Sequence, residues 1–159
     1  MRAAVLVPLY EDGGELRLIL TRRGDGMATH PGDVVFPGGG IEPGDSGPED
    51  AARREAWEEI GLPPESVEVL GGLEPTTARS TAVLIVPVVA RVVRPARFVL
   101  ARGEVEALLE PRVADLLDET SWRQEEWSGH TVWFRPFPEG MLWGATARMV
   151  RSLLAYFRA

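Results

Sequence analysis

Three glutamates spaced three and four residues apart form the pattern with the clearest chemical meaning in this sequence: Glu55, Glu58 and Glu59. In an α-helix such residues lie on one face, with their Cβ atoms about 5–6 Å apart. Like charges at this spacing repel one another, and Mg²⁺ or Mn²⁺ relieves the repulsion because both ions prefer carboxylate oxygens. Arg54 lies four residues before Glu58 and can hold one carboxylate through a charge-assisted fork. The pattern alone fits either a metal site or a solvated acidic helix face, and the solvated face is the more common of the two because glutamate-rich helices are frequent.

A glycine-rich segment lies directly upstream and favours the metal site over the solvated face. The stretch Phe36-Pro37-Gly38-Gly39-Gly40 is predicted to be a strand end that runs into a loop. Because glycine has no Cβ, such a loop can bring a backbone carbonyl close to a metal held by the helix.

The range 39–62 resembles the Nudix signature, G-x5-E-x7-R-E-U-x-E-E-x-G-U. Its second half is matched completely by R-E-A-W-E-E-I-G-L, whereas its first half departs from the pattern. Counted from Gly39, Asp45 takes the place of the first glutamate and one extra residue follows. Counted from Gly40, the spacing is kept but Ser46 takes that place. We interpret the aspartate with one additional loop residue as a tolerated variation.

The resemblance implies a role for each residue of the pattern. Glu58 and Glu59 would be the main metal ligands, and Glu55 would bind the metal directly or through water. Gly38 would offer its carbonyl to the metal, and Arg54 would orient a glutamate. Members of the family catalyse substitution at phosphorus by water, with metal ions that polarise the phosphoryl oxygens. The resemblance therefore implies an enzyme that cleaves a diphosphate bond with Mg²⁺ or Mn²⁺.

A general base is also needed, and in many Nudix enzymes it is a glutamate on a loop downstream of the helix. Glu104, Glu106 and Glu110 are the candidates here. Glu104 aligns best with an acidic residue of the related E-V-x-x-x-F-E segment, so the resemblance makes it the catalytic candidate. The helix glutamates themselves are the alternative base.

Two further segments resemble the coenzyme A pyrophosphatase branch of the family. The range 20–39 is similar to L-T-x-R-S…H-x-G-x-V-x-F-P-G-G, and the range 142–149 is similar to the closing helix I-W-G-x-T-A-R. That branch often has the aspartate version of the signature, which accounts for Asp45. Two positions depart from it, because Gly24 replaces the usual serine and Ala28 stands where an arginine is common.

The resemblance to this branch implies hydrolysis of coenzyme A or one of its thioesters to 3′,5′-ADP and a 4′-phosphopantetheine compound. The first alternative is the same chemistry on ADP-ribose, a dinucleotide or a nucleoside triphosphate. The second is a nucleotide-sensing domain that keeps the fold without turnover, although such a domain is expected to lose the carboxylates that are present here.

Several side chains in these segments are candidates for the substrate site. We expect Arg23 to contact a phosphate, and the alternative is an ordinary exposed residue at a strand end. His30 is a candidate for substrate binding, although a structural hydrogen bond in the loop is the more common role. Trp143 and Arg148 either contact the substrate or lock the last helix against the sheet. An adenine could stack on one of four further aromatic side chains, of which at least two are predicted to pack in the core: Trp122, Trp127, Trp133 and Phe134.

The elements that must position these side chains are a long helix and a sheet. The helix is predicted over Ser46–Ile60, with Ser46 and Glu49 as a capping box, Pro48 in the first turn and Gly61 as its stop. Strands are predicted over 2–9, 16–21, 33–36, 67–73, 81–93 and 131–134, a mixture of loop and short helix over 104–117, and a closing helix over 145–157. Because the strands outnumber the long helices and do not alternate strictly with them, we predict an α/β/α sandwich of the α+β class. In it a mixed β-sheet would lie between helices, as in the Nudix fold.

Composition limits the remaining function classes. A chain of 159 residues fits one domain, 1–159. Its net charge of −7 argues against a general nucleic-acid binder but not against a phosphorylated small molecule, because a bound divalent cation inverts the local field.

The longest apolar run, 82–90, is interrupted by a proline and is shorter than the about 20 residues of a bilayer span, and no signal-peptide pattern precedes it. There is no cysteine, and hence no disulfide framework or thiolate metal site. We expect a cytoplasmic monomer or homodimer without nucleic-acid or membrane partners.

Overall fold

The strands of the computed structural model, which describes residues 2–28, 30–78 and 82–158, form two mixed β-sheets. In chain order the elements are β1 (Arg2–Asp12), β2 (Glu15–Leu18), β3 (Leu20–Arg23), β4 (Val34–Val35), β5 (Gly38–Gly40), α1 (Pro48–Ile60), β6 (Val67–Gly72), β7 (Thr76–Thr77), β8 (Leu84–Val92), β9 (Val105–Leu109), α2 (Val113–Leu116), β10 (Arg123–Trp127), β11 (His130–Pro136), β12 (Met141–Trp143) and α3 (Gly144–Leu154). Short 3-10 turns lie at Pro64–Ser66, Glu119–Ser121 and Ala155–Phe157.

The first sheet is built around β1, which pairs in parallel with β8 along one edge. Along its other edge β1 pairs antiparallel with β5 near its start and with β2 near its end. The far edge of β8 pairs with β6 and β7. The second sheet has the order β10-β11-β12-β4-β3-β9, and its pairing of β12 with β4 is parallel. This pairing joins the two segments, 20–39 and 142–149, that resemble one branch of the Nudix family.

Side chains along β1 alternate between two hydrophobic cores, as the pleat of a strand requires. Leu6 and Tyr10 pack in the core beneath α1, which α1 lines with three alanines and Ile60. Val7 and Leu9 pack in the other core, against the second sheet and the buried face of α3. The two helices therefore lie on opposite faces of the first sheet, and the predicted α/β/α sandwich with a mixed sheet is confirmed.

Helix α1 begins two residues later than predicted. Its N-cap is Gly47, and no side chain caps the first turn. The backbone N–H of Ser46 instead donates to the carboxylate of Asp50 at 3.1 Å, so the predicted capping box of Ser46 and Glu49 is wrong. The prediction for Pro48 is confirmed, because it occupies the first turn, where no intrahelical N–H donor is needed.

Several predicted boundaries also differ from the structure. The predicted strand 16–21 is divided at Ile19, whose N–H donates to the carbonyl of Pro8, so that β2 and β3 lie in different sheets. The range predicted as loop and short helix, 104–117, contains the strand β9 as well as the short helix α2. The strand predicted over 81–93 is β8, and Thr81 lies outside the described residues. No helix in the described ranges is long and apolar enough to cross a membrane.

The end of α1 depends on Gly61, as predicted. Gly61 has a φ of 71°, in the left-handed region, and its N–H donates to the carbonyl of Trp57 at 3.0 Å. A Cβ at this position would lie 3.0 Å from the backbone nitrogen of Val99. The glycine therefore allows both the helix stop and the close approach of the segment around Val99.

We expect Gly61→Ala to lower the free energy of unfolding by at least about 1 kcal/mol, because alanine is strained at positive φ and its methyl group would press on Val99. Urea unfolding followed by circular dichroism measures the change. Gly44→Ala is the matched control, since a Cβ there meets nothing within 4 Å. Equal stability of the two variants would contradict this account of the helix end.

Candidate functional site

The carboxylates of Glu55, Glu58 and Glu59 are turned toward β5 and Arg54. Oε1 of Glu59 accepts a hydrogen bond from the N–H of Gly38 at 2.7 Å. Oε1 of Glu55 and Oε2 of Glu58 accept from Nη1 of Arg54 at 3.1 and 3.3 Å. Glu58 is exposed, whereas Glu55 and Glu59 are partly buried. The helix thus presents all three predicted ligands on one side.

Strand β5 presents its backbone to these side chains because of its pairing with β1. Pro37 and Ile41, on either side of the strand, hydrogen-bond to β1. Since hydrogen-bonded residues alternate along an antiparallel pair, Gly38 and Gly40 direct their N–H and C=O groups away from β1. Accordingly Gly38 donates to a glutamate of α1, and the carbonyl of Gly40 accepts from Nη2 of Arg54 at 3.1 Å. By the same alternation the Gly38 carbonyl points to the side where the α1 carboxylates lie.

Two of the three glycines of β5 stand where an added Cβ would meet other atoms too closely. A Cβ on Gly38 would lie 2.4 Å from the carbonyl oxygen of Ala4. A Cβ on Gly39 would lie 2.7 Å from both Cδ and Oε1 of Glu55. The backbone of β1 therefore requires glycine at position 38, whereas a side chain at position 39 would have to displace the carboxylate of Glu55.

Arg54 joins the loop before α1 to the glutamates. Its Nε and Nη2 donate to the two oxygens of Asp45, each at 2.9 Å, in a bidentate fork. The side chain of Asp45 is only 4% exposed, and it also accepts from the N–H of Glu42 at 2.8 Å. Hydrogen bonding to Arg54 is the main cause that lowers the pKa of Asp45. Arg54 thus contacts Asp45 and not Ser46. This contact supports the alignment in which the signature is counted from Gly39 and Asp45 takes the place of its first glutamate.

Burial raises the pKa of Glu59 to about 8. The hydrogen bond from Gly38 and the charge of Arg23 lower this pKa, whereas the charges of Glu55 and Glu104 raise it further. The pKa of Glu55 is also raised by burial, against the lowering effect of Arg54. Burial therefore disfavours the ionised form of Glu55 and Glu59 despite the nearby arginines, and a bound cation would favour that form in both glutamates.

Among the described residues, no group of three or more histidine or acidic side chains is arranged so that it could already hold a metal ion. The hydrogen bonds from Arg54 and Gly38 hold the glutamates, so a metal ion would have to replace some of them. The donor chemistry nevertheless fits Mg²⁺ or Mn²⁺, because it consists of carboxylate oxygens and the carbonyl of Gly38. The raised pKa of the partly buried Glu59 also fits a divalent cation, because a bound cation would favour its ionised form.

Glu104 is the base candidate that interacts electrostatically with this site. It lies on the exposed loop before β9, and its charge acts on Glu59. Glu106 instead pairs with Arg22, and Glu110 pairs with Arg94 at another edge of the molecule. Of the three candidates, Glu104 is therefore the one whose charge is known to act on a glutamate of α1.

The packing around Gly24 explains why this chain has glycine where the coenzyme A pyrophosphatase pattern has serine. Its N–H donates to the carbonyl of Glu104 at 3.0 Å. A Cβ on Gly24 would lie 2.3 Å from the carbonyl oxygen of Gly103, which no real contact tolerates. The loop that carries Glu104 therefore packs directly on the backbone of Gly24, and a serine there would displace it.

A cleft of about 530 Å³ opens beside Gly38 and Gly39. Its wall is mostly apolar and aromatic, with charged or titratable side chains that include Arg23, His30 and Arg148. The α1 glutamates are not part of the wall, and β5 separates them from the cleft. The structure thus brings Arg23 and His30 to a cavity that adjoins the carboxylate face.

His30 and Arg148 have structural partners as well as a place in the cleft wall. His30 has a φ of 48°, and its Nδ1 lies 3.3 Å from Oδ2 of Asp33. Arg148 donates to Oγ1 of Thr76 and to the carbonyl of Thr77, both at 2.8 Å, which ties α3 to β7. Asp33 also lines the cleft and was missed by the sequence analysis. Asp33 lies between His30 and Phe36 in the range 20–39, which resembles the coenzyme A pyrophosphatase segment. That position was the sequence signal that could have identified it.

The aromatic candidates divide between core and cleft. Trp122 is buried, and its Nε1 donates to the carbonyl of Leu116 at 2.8 Å. Trp133 packs edge-on against Trp122, with 6.3 Å between ring centroids. Core packing of at least two of the four is therefore confirmed. Trp127 and Trp143 line the cleft, whereas Phe134 is stacked on Trp143.

Comparisons with known proteins agree with this architecture. The family model of the NUDIX domain matches residues 1–128. The uncharacterized Nudix hydrolase NudL of Enterobacter sp. (strain 638) is 35% identical over 158 residues, covering 96% of this chain and 80% of that protein. Nudix hydrolase 15, mitochondrial, of Arabidopsis thaliana is 38% identical over 157 residues, covering 92% of this chain but 55% of the plant protein.

Two solved structures have a similar fold. A C. elegans Ap4A hydrolase in a binary complex has a TM-score of 0.61 at 20% identity, covering 73% of this chain and 83% of that one. The NUDIX domain of Shewanella oneidensis NrtR, in complex with ADP ribose, has a TM-score of 0.61 at 16% identity, covering 99% of this chain and 88% of that one. At these identities the likeness shows a shared fold.

We expect Asp45→Asn to lower the free energy of unfolding at pH 7, because it removes the charge that Arg54 holds by two hydrogen bonds. The folded-state pKa of Asp45 is lowered, so its stabilisation is present above the ordinary aspartate pKa of about 3.9 and is lost as pH falls through the folded-state value. The difference from the unmodified protein should therefore shrink in acid.

Thermal unfolding between pH 3 and pH 7 measures this effect, with the exposed Glu65→Gln as the control. A deficit of the Asp45→Asn variant that stays constant down to pH 3 would rule out the charge of Asp45 as its cause.

Proposed function

The chain belongs to the NUDIX family of hydrolases, and on that premise we propose that it cleaves the diphosphate bond of coenzyme A or one of its thioesters in a metal-dependent reaction. Water would attack one phosphorus atom and the bond to the bridging oxygen would break. The products would be 3′,5′-ADP and 4′-phosphopantetheine or its acyl derivative. The observation that carries the proposal is the cleft that reaches Gly38 and Gly39 of β5, the strand that lies against the carboxylates of α1.

The residues of the site have separate tasks in this proposal. Glu55, Glu58, Glu59 and the carbonyl of Gly38 would hold the divalent ion. When bound, that ion supplies Lewis-acid chemistry, since it polarises phosphoryl oxygens and lowers the pKa of the attacking water. Arg54 positions Glu55 and Glu58 through its direct hydrogen bonds.

Two more side chains complete the proposed mechanism. Arg23, which lines the same cleft as Gly38 and whose charge acts on Glu59, would neutralise phosphate charge. Glu104 would accept the proton of the attacking water, because it is exposed to solvent and its charge already acts on Glu59.

The choice of coenzyme A is supported by the way the chain folds around the cleft. Leu142 pairs with Val34, so the two resembling segments meet although they lie at opposite ends of the sequence. The first segment contributes Arg23 and His30 to the cleft, and the second contributes Trp143. Two segments that line one cavity are expected to serve one ligand.

Ala28 is the observation that favours a second candidate function. It is exposed in the loop after β3, where an arginine is common in coenzyme A pyrophosphatases. Without that arginine, the 3′-phosphate that distinguishes coenzyme A loses a charged partner. The alternative is therefore the same chemistry on ADP-ribose, a dinucleotide such as Ap4A, or a nucleoside triphosphate. Retention of Glu55, Glu58 and Glu59 argues against a purely sensing domain.

We expect Glu58→Gln to lower kcat by more than about a hundredfold, because loss of even an outer-shell partner of a metal ligand commonly costs 10–100-fold. Glu58 is exposed, so the fold should be unchanged by circular dichroism. The matched control is Glu49→Gln, an exposed glutamate in the first turn of the same helix. Turnover near that of the control would contradict the assignment of the metal ligands.

A substrate panel tests the choice of coenzyme A. Release of product is measured with Mg²⁺ and with Mn²⁺ for coenzyme A, its 3′-dephospho form, ADP-ribose, NADH and ATP. We expect the highest kcat/KM for coenzyme A. A kcat/KM for ADP-ribose equal to or above that for coenzyme A would exclude the leading substrate and favour the alternative.

A further inference from the structure

Trp127 combines exposure with a place in the cleft wall. Among the described residues, several large hydrophobic side chains are exposed, and of these Trp127, at 40% exposure, is the one that also lines the cleft. Trp57 is 54% exposed but lies on α1, outside the cleft wall. The exposed face of Trp127 is therefore available to a molecule bound in the cleft.

A tight hairpin holds Trp127 in this position. Trp127 pairs with His130 at the end of β10 and β11. The two residues between them, Ser128 and Gly129, have φ values of 50° and 79°, the backbone of a two-residue hairpin turn. Nε1 of Trp127 donates to Oε1 of Glu125 at 3.0 Å. The polar edge of the indole is thus bound, and its aromatic face remains for a ligand.

Three aromatic rings form a corner at this end of the cleft. Phe134 and Trp143 are stacked, with planes 2° apart and centroids 5.8 Å apart. Trp127 leans on both at an interplanar angle of 56°, with centroid distances of 5.8 and 5.9 Å. No parallel partner among these rings covers its face. A flat ring in the cleft can stack on one tryptophan and meet the other with its edge, which is a favourable arrangement of aromatic rings.

We propose that Trp127 is a substrate-contacting residue that stacks on the adenine ring of the bound nucleotide. A rigid ring gains more from two fixed indole faces than a flexible chain does, because it loses less conformational freedom on binding. The cationic side chains Arg23 and Arg148 line the same cleft and suit the phosphates attached to such a ring. This proposal depends on the proposed function in one respect, namely that the ligand is an adenine nucleotide. It does not depend on which diphosphate compound is cleaved.

Binding of AMP tests the proposal without turnover. Affinities for AMP, ribose 5-phosphate and 4′-phosphopantetheine are measured by calorimetry in the presence of a chelator. We expect Trp127→Ala to weaken AMP binding by about tenfold, as expected for loss of base stacking on an aromatic side chain. Binding of ribose 5-phosphate should not change, since it has no base. Trp127→Phe should keep most of the affinity, and Trp57→Ala is the matched control that should leave it unchanged.

Two results would overturn the proposal. One is an unchanged affinity of Trp127→Ala for AMP. The other is a loss confined to 4′-phosphopantetheine, which would assign the aromatic corner to the other half of coenzyme A. If Trp127→Ala does not fold, Trp127→Leu replaces it, because leucine fills much of the volume without an aromatic face, and unchanged AMP binding there has the same meaning. AMP contains no diphosphate, so intact stacking in a protein that fails to hydrolyse coenzyme A would contradict the proposed function alone.

Discussion

Placing Glu55, Glu58 and Glu59 on one side of α1 brings negative charges together and removes part of their hydration, and the surrounding structure offsets these costs only in part. Arg54 supplies the positive charge, with two hydrogen bonds to Asp45 and one to each of two glutamates. Strand β5 supplies backbone hydrogen-bonding groups at close range, because it carries no side chains. The loop, the helix and the first sheet are therefore linked through one guanidinium group and three glycines.

This arrangement also decides where a substrate can meet the carboxylates. The glutamates lie on the α1 face of the first sheet, whereas the cleft is bounded by Val5 and Ile85, whose side chains point to the α3 face. Strand β5 forms the edge where the two faces meet. A phosphate group in the cleft can therefore approach the acidic site past the backbone of Gly38 and Gly39, where no side chain blocks the way.

Much of this site follows from local sequence. The helical spacing of the glutamates and the stop at Gly61 depend on residues a few positions apart, and both were predicted. Strand β9 was not predicted, because the segment V-E-A-L-L suits either a helix or a strand, and its pairing with β3 is long-range. Strand β10 is exposed along its whole length and has no apolar alternation to reveal it. The place of Trp127 in the cleft depends in turn on that hairpin and on the pairing of β12 with β4, which no local pattern contains.

The contact between Gly24 and Gly103 makes two distant positions of the sequence interdependent. Restoring the serine that related sequences are expected to carry at position 24 would be harmful here unless the loop 101–104 were redesigned with it. Engineering toward a family consensus, one position at a time, would therefore fail at this pair, although each change is conservative on its own. In an alignment of relatives, the residue at position 24 should vary together with the length or glycine content of the loop 101–104. A chain with a serine at position 24 and an unchanged loop would hold the loop glutamate in a different place.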